Sequence, residues 1–203
     1  MLWLTREKPN PPHQTENSEL AALLKADRRE ITHLLGQIQV VSNIGLIRIA
    51  EGLREFRQGN FRVINPDNQK LKTSTPLKLV GFCATRKDIV APEADDESRE
   101  ITEQLITHLP PDVRIYCYNL KPPDKWTNLV LLEDSGSAPQ ILDSRIHKHA
   151  VLDLSPRLYS DVRIHRGELP KGLWWLADLR FTSATHLAYS DNQLVSRNVI
   201  DNP

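Results

Sequence analysis

Apolar residues recur at spacings of three and four along the first third of the chain, which is the pattern of an amphipathic helix. The residues that form this stripe are Leu20, Leu23, Leu24, Ile31, Leu34, Leu35 and Ile38. The same spacing is met further on, at Val41, Ile49, Leu53 and Phe56. Glycines at positions 36, 45 and 52 interrupt it, and each weakens a helix by about 1 kcal/mol relative to alanine. The pattern therefore predicts two helices over about residues 18–35 and 38–58, or one long helix kinked at a glycine.

After residue 60, short β-rich runs alternate with helical ones. Strands are predicted over residues 61–64, 77–85, 113–120, 126–133 and 159–165, and helices over residues 98–109 and 138–154. From residue 77 the order of elements is β-α-β-β-α-β, which is the ferredoxin-like arrangement. We therefore predict an α+β fold, in which a ferredoxin-like antiparallel sheet domain follows an N-terminal helical region.

Composition along the chain predicts four parts. Residues 1–17 are polar and proline-rich and are expected to be a flexible lead-in. Residues 18–60 are the amphipathic helical region, and residues 61–189 are the α+β ferredoxin-like domain. Residues 190–203 are polar and are expected to form a frayed tail.

Acidic and basic residues balance, with 26 of each, so the chain carries no net charge. This argues against nucleic acid as a partner, and residues 128–133 lack the aromatic side chains on which an RNA-recognition motif stacks bases. No apolar run reaches the roughly 18–20 residues of a membrane span, so no membrane association is expected. Cys83 and Cys117 lie in apolar, strand-like runs and are expected to be buried, reduced thiols, which favours a cytoplasmic location.

Alternation along the predicted strands divides their side chains between two faces of the sheet. If the helices cover the apolar face, the other face carries aromatic, cationic and imidazole groups: Phe82, Arg114, Tyr116, Tyr118, Asn128, Arg163 and His165. Such a face is too apolar to lie in water. A second subunit, a ligand, the N-terminal helices or a nucleic acid is therefore expected to cover it. Arg114 or Arg163 would suit a ligand carboxylate, because arginine presents two donors in a fork.

The run 126–133, the helix that contains His147 and His149, and the run 159–167 together resemble the second half of dimeric α/β-barrel proteins. That superfamily includes antibiotic-biosynthesis-type monooxygenases and haem-binding relatives. The resemblance covers about residues 77–167 and rests on the order of the elements. It implies two sheets paired across a cavity that binds an aromatic or tetrapyrrole ligand.

Three histidines are candidates for chemistry. His165 lies between Arg163 and Arg166, and cationic neighbours favour the neutral imidazole that acts as a base or ligand. His147 and His149 are two residues apart, so on a regular helix they point in different directions and cannot share one metal ion. No metal site is therefore predicted. Either histidine could act as a haem ligand or an acid/base group, or simply belong to a solvated helix face.

Two functional hypotheses follow. In the first, the protein is a small-molecule-binding or oxygenase-like protein, for which haem is a candidate cofactor. Its cavity would be lined by Phe82, Tyr116, Tyr118, Arg163 and His165, with His147 or His149 at the rim. In the second, it is a non-catalytic assembly or accessory protein that acts through its amphipathic helices. Both imply a homo-oligomer, and the second adds a protein partner on residues 18–58.

Overall fold

A computed structural model of the chain describes residues 14–43, 48–50, 53–64, 75–110, 112–121, 125–133 and 144–201. These residues form an α+β fold, in which a nine-stranded sheet carries helices on both faces. The coarse architecture that the sequence predicts, an antiparallel sheet with an N-terminal helix, is confirmed. Within these ranges no helix combines the length and the apolar character that crossing a membrane requires.

The helical elements, in chain order, are α1 (Gln14–Asn43), α2 (Pro92–Thr107), α3 (Arg145–His149), a π-helical turn (Ala150–Leu154), α4 (Ser155–Leu158) and a 3₁₀ turn (Leu176–Asp178). The strands are β1 (Arg48–Ala50), β2 (Leu53–Gln58), β3 (Phe61–Ile64), β4 (Leu77–Arg86), β5 (Val113–Lys121), β6 (Lys125–Glu133), β7 (Tyr159–Leu169), β8 (Arg180–Ser190) and β9 (Gln193–Asp201). The helix α3, the π-helical turn and α4 follow one another directly and form one interrupted helix.

All neighbouring strands are antiparallel, and their order across the sheet is β1-β2-β3-β5-β6-β4-β7-β8-β9. Helix α2 connects β4 to β5, and the interrupted helix lies between β6 and β7. Strand β4 pairs with β6 on one side and with β7 on the other, along nearly its full length. The middle of the sheet is therefore formed by β5, β6, β4 and β7.

Helix α1 covers one face of these central strands, the α1 face. Its buried apolar residues follow helical spacing: Leu24, Ile31, Leu34, Leu35, Ile38 and Val41. Four of them, Ile31, Leu35, Ile38 and Val41, share a core with apolar residues of the sheet, which include Leu79, Cys83, Ile115, Cys117, Leu129 and Leu131. Burial of one such aliphatic side chain contributes about 1.5–3 kcal/mol, so the stripe is sufficient to hold α1 on the sheet.

Helix α2 and the interrupted helix cover the opposite face, the α2 face. Their residues Ala94, Ile101, Leu154 and Leu158 pack with Val162 and other strand residues. Pro92 occupies the first turn of α2, where its missing N–H costs no helical hydrogen bond. Acidic residues at Glu93 and Asp95 suit the positive end of the helix dipole.

The predicted helix over 38–58 is corrected by the structure, because α1 ends at Asn43 and strands β1 and β2 follow. The turn between β2 and β3 contains Gly59 at a φ of 57°, which glycine adopts without strain. Phe56 and Phe61 meet edge to face across this hairpin, with ring centroids 6.1 Å apart. The apolar spacing of residues 49–56 fits a helix, but cross-strand packing determines the structure here.

The expected tail over 190–203 is also corrected, because most of it forms β9. Asp191 and Asn192 both have positive φ, at 50° and 61°, as a two-residue hairpin turn of the I′ type requires. The helix predicted over 98–109 begins earlier, at Pro92. Of the expected flexible lead-in, residues 14–17 belong to α1 and residues 1–13 lie outside the described part of the chain. The predicted start of the helix at 138 also lies outside it.

Candidate functional site

Beneath α1, four polar or titratable side chains from three elements meet in the interior. This Asp27 cluster consists of Asp27 of α1, Cys83 of β4, and Arg163 and His165 of β7. Arg163 is only 2% exposed and His165 is fully buried. Burying a charged group is costly unless it is paired, so the contacts within the cluster determine what it can do.

Asp27 is the acceptor that joins the cluster. Arg163 donates from Nε to Asp27 Oδ2 over 2.6 Å and from Nη2 to Asp27 Oδ1 over 3.3 Å. His165 Nε2 lies 3.1 Å from the same Oδ2. An ionised carboxylate only accepts hydrogen bonds, so it is the imidazole Nε2–H that donates. The forked contact with arginine is the strong, directional kind of ion pair.

A glycine lies where helix α1 packs on the sheet. Gly81 pairs with His165 across β4 and β7. A Cβ atom at Gly81 would lie 2.5 Å from Ile31 Cδ1, so the end of the Ile31 side chain would have to move. Ile31 follows Asp27 by about one helical turn. The Ile31 side chain thus packs directly over Gly81, and the Asp27 carboxylate, one turn earlier in α1, lies within reach of β7.

Further polar side chains fix the Arg163 guanidinium from other directions. Thr85 Oγ1 accepts from Arg163 Nη1 over 3.2 Å, and Asp161 forms an ion pair with the same nitrogen. His186 of β8 lies directly across the strands from Arg163. Because side chains of α1, β4 and β7 contact it, the guanidinium has one orientation, and that orientation faces Asp27.

The cluster shifts the acidity of its members in opposite directions. Burial alone would raise the pKa of Asp27, but hydrogen bonds from His165 and Arg163 and the charge of Arg163 hold it below its ordinary 3.8. Burial raises the pKa of the Cys83 thiol, and the nearby Asp27 carboxylate raises it further. Burial and the charge of Arg163 lower the pKa of His186. Asp27 is therefore ionised at neutral pH, while Cys83 is a protonated thiol.

Three members of the cluster carry metal-binding atoms. A carboxylate oxygen of Asp27, the sulfur of Cys83 and a ring nitrogen of His165 all lie within 4.8 Å of one another. The same trio resembles a nucleophilic Cys-His-Asp set, but its thiol is buried and protonated. Reactive cysteines need the thiolate and access to substrate. The arrangement is suited to an internal ion pair or to a bound divalent ion, and not to thiol catalysis.

The predicted aromatic residues do meet one another, but on the α2 face. Phe82 packs edge to face on Tyr159, with centroids 5.8 Å apart. The ring centroids of Tyr116 and Tyr118 are 6.3 Å apart, and those of Tyr118 and Trp126 are 6.0 Å apart. These rings pack in the two clusters to which α2 contributes, and Tyr116 is almost fully buried. They form part of the core beneath the helices.

Arg163 and His165 do not share the face of those aromatic rings, which corrects the predicted cavity lining. The structure pairs Phe82 with Ile164, whereas His165 pairs with Gly81 and points toward α1. Alternation within one strand separates its two sets of side chains. It does not determine which set of one strand lies beside which set of the next, because that depends on the register of pairing.

Arg114 lies apart from both groups. It occupies an irregular position in the pairing of β5 with β6, between Val113 and Ile115. Its side chain is almost fully buried and forms an ion pair with Glu133. The sequence suggested Arg114 as a partner for a ligand carboxylate, but its carboxylate partner is Glu133 of the same chain.

The two helical histidines lie on α3. His149 Nδ1 is 2.8 Å from Asp153 Oδ2, and its Nε2 is 2.8 Å from Glu97 Oε1 on α2. Hydrogen bonds to Asp153 and Glu97 raise the pKa of His149. His147 is half-buried, and burial lowers its pKa. Neither lies in the Asp27 cluster, so the structure does not bring the three predicted histidines together.

A groove of about 500 Å³ lies beside His149, between α2 and the interrupted helix. Its lining residues are Ile101, Gln104, Arg145, Ile146, Lys148, His149, Leu152 and Asp153. Three of these residues are aliphatic, and two others, Arg145 and Lys148, are cationic. The π-helical turn forms part of it, and such turns occur frequently at functional sites.

Asp27 is the member of the cluster that sequence reasoning missed. The signal was present, because Leu24, Asp27 and Ile31 follow one another at spacings of three and four. An acidic residue within an apolar stripe indicates a buried carboxylate, which requires a cationic partner. The sequence did not indicate that Arg163 was that partner.

Comparisons with models of protein families, with curated proteins and with solved structures find no match to this chain.

Proposed function

We propose that this protein is a non-catalytic assembly protein, built on a ferredoxin-like domain, that associates with a second copy of itself through strand β9. The order β5-β6-β4-β7 in the middle of the sheet, with α2 and the interrupted helix as its two connections, supports the ferredoxin-like assignment. A dimeric α/β barrel needs a sheet face free to meet its partner. Both faces of the central strands carry helices here, which favours association at an edge.

The observation that carries this proposal is the concentration of exposed apolar side chains on an edge strand. On β9, Leu194 is 52% exposed, Val195 is 61% exposed and Val199 is 58% exposed. One side of β9 pairs with β8, and among the described residues no strand pairs with the other side. Exposed apolar edges are templates for strand pairing, which monomeric proteins normally block with charge, proline or a bulge.

The strand is complementary to itself in antiparallel pairing. If a two-fold axis passes at Arg197, Leu194 of one copy lies opposite Ile200 of the other, and Val195 lies opposite Val199. Cross-strand apolar pairs of this kind contribute about 0.2–1 kcal/mol each, in addition to the backbone hydrogen bonds. The two Arg197 side chains would then face each other, which opposes pairing. The cytoplasmic location predicted from the sequence is supported by two buried, free cysteines.

The test is sedimentation velocity of the wild-type chain and of two lysine variants. We expect a dimer for the wild type and a monomer for Val199→Lys, because charge at an edge strand prevents pairing. The matched control is Ile89→Lys, since Ile89 is 90% exposed but lies outside the sheet. Arg197→Gln is expected to tighten the dimer. A wild-type monomer over the whole concentration range, or a dimer unaffected by Val199→Lys, would contradict the proposal.

The groove between α2 and the interrupted helix supports a second candidate, binding of an apolar molecule that carries carboxylate groups. Its aliphatic lining residues, together with Arg145 and Lys148, suit an amphiphilic anion. Hemin has this chemistry and absorbs in the visible range, so a hemin titration measures such binding directly. We expect saturation at one ligand per chain, lost in Leu152→Asp and kept in Ile89→Asp. A linear titration, or equal binding by Leu152→Asp, would exclude this candidate.

A further inference from the structure

We propose that Asp27, Cys83 and His165 bind one divalent transition-metal ion, with zinc as the ion that best fits their chemistry. Three elements supply one donor atom each: a carboxylate oxygen from α1, a thiolate sulfur from β4 and an imidazole nitrogen from β7. This site is separate from the β9 edge and from the groove beside His149.

The spacing of the donor atoms suits a tetrahedral ion. Zinc lies about 2.0–2.2 Å from nitrogen or oxygen ligands and about 2.3 Å from sulfur, which places ligand atoms roughly 3.3–3.8 Å apart in a tetrahedron. The three donors lie within 4.8 Å of one another, and Nε2 of His165 is 3.1 Å from Asp27 Oδ2. Small side-chain adjustments would bring all three to ligand distance.

The chemical types of the three donor atoms indicate which metal ion fits the site. Calcium and magnesium prefer sites made wholly of oxygen, whereas thiolate and imidazole favour zinc and neighbouring transition metals. Three protein ligands are also the number that leaves one position of a zinc tetrahedron for a further ligand. A mixed sulfur, nitrogen and oxygen set therefore indicates a borderline-soft divalent ion.

The surroundings supply what a metal site requires beyond its ligands. Ligating carboxylates are normally held by hydrogen bonds from other residues. Arg163 donates to Asp27 in this way, and Thr85 and Asp161 fix Arg163 in turn. On binding, the Cys83 S–H proton is released to solvent and a metal–sulfur bond forms. The proton of the neutral His165 imidazole moves from Nε2 to Nδ1, so the Nε2 lone pair coordinates the ion and the hydrogen bond from Nε2 to Asp27 is replaced. The thiolate and two carboxylates then balance the divalent ion and one guanidinium, so the buried site carries no net charge.

The chain offers a simple assay, because Cys83 and Cys117 are its only two cysteines. Both are buried in strands, but Cys117 is not part of the cluster. The untagged chain is refolded in the presence of Co²⁺, since α1 covers the site in the folded protein. Coordination of Co²⁺ by a thiolate gives a near-ultraviolet charge-transfer absorption. Bound metal per chain is measured in parallel after removal of free ions.

We expect one Co²⁺ per chain and the charge-transfer band in the wild type and in Cys117→Ser, with loss of both in Cys83→Ser. Zn²⁺ should displace Co²⁺ and should raise the melting temperature of the first two proteins only. If Cys83→Ser does not fold, Cys117→Ser still assigns the band, because Cys83 is then the sole thiol. A folded wild type without the band, or a band that disappears in Cys117→Ser, would overturn the proposal and leave the cluster as a hydrogen-bonded ion pair.

Discussion

The Asp27→Asn substitution keeps the shape of the side chain but removes the charge that joins α1 to β7. Arg163 would then be a buried cation without its forked partner, although Asp161 and Thr85 still contact it. Removing one partner of a buried ion pair costs about 3–5 kcal/mol. Because Arg163 keeps other contacts, we expect the lower end, a loss of about 3 kcal/mol in the free energy of unfolding.

Urea unfolding with a chelator present measures this loss independently of any metal, by linear extrapolation to zero denaturant. In a chain of this size, a loss of about 3 kcal/mol lowers the melting temperature by roughly 6–12 °C. The matched control is Asp96→Asn, which removes an exposed ion pair with Arg99 at 3.6 Å. Exposed pairs contribute little, so we expect the control to change stability by less than about 0.5 kcal/mol.

The contribution of Asp27 to the free energy of unfolding should decrease in acid. Because the pKa of Asp27 is lower in the folded state than its ordinary 3.8, its stabilising contribution is fully present above that value. The contribution is lost as the pH falls through the folded-state pKa. The difference between wild type and Asp27→Asn should therefore be constant above about pH 5 and shrink below about pH 4. Equal stability at neutral pH, or a difference that does not change in acid, would refute this account of the cluster.

Three further predictions concern packing and surface charge. Gly81→Ala should destabilise the fold by about 1–3 kcal/mol in urea unfolding. Ile31→Val removes the methyl group that the new Cβ would meet. The loss in the double variant should therefore be about 1 kcal/mol smaller than the sum of the two single-variant losses. Because burial raises the pKa of both cysteine thiols, iodoacetamide should alkylate neither in the native protein and both in denaturant, and rapid native labelling would contradict this. Hydrogen bonds to Asp153 and Glu97 raise the pKa of His149. Glu97→Gln should therefore lower the pKa of His149 observed by NMR titration. An unchanged pKa would contradict the contact between His149 and Glu97.

The sequence predicts the central elements well, because their signals are local. Alternating apolar residues mark β4 and β6, and Pro110 follows closely after the end of α2. The edges of the sheet are harder to predict. In β2, Leu53 and Phe56 have a helical spacing. This segment is nevertheless a strand because it pairs with β3, and the two strands are also joined by the 2.6 Å contact between Arg62 Nε and Glu55 Oε2.

The Asp27 cluster was only partly predictable. Cys83, Arg163 and His165 stand out in the sequence as polar or reactive residues within β-rich runs. Their meeting depends on which residues of β4 and β7 pair, and on the close approach of a helix over Gly81. Both are long-range properties, and no local pattern encodes them. The exposed residues of β9 were overlooked because an edge strand lacks the continuous burial that makes a strand recognisable.

The contact between Asp27 and Arg163 joins residues 136 positions apart, and this separation has a consequence during synthesis. At about 5–20 residues per second, the ribosome completes β7 roughly 7–27 s after the Asp27 segment has been made. During that interval, the sheet beneath α1 is incomplete, because β7 is the last of the four central strands to be made. The nascent N-terminal segment is therefore a natural substrate for chaperones that hold exposed apolar segments, and the ion pair that fixes α1 to β7 forms only after β7 has been made.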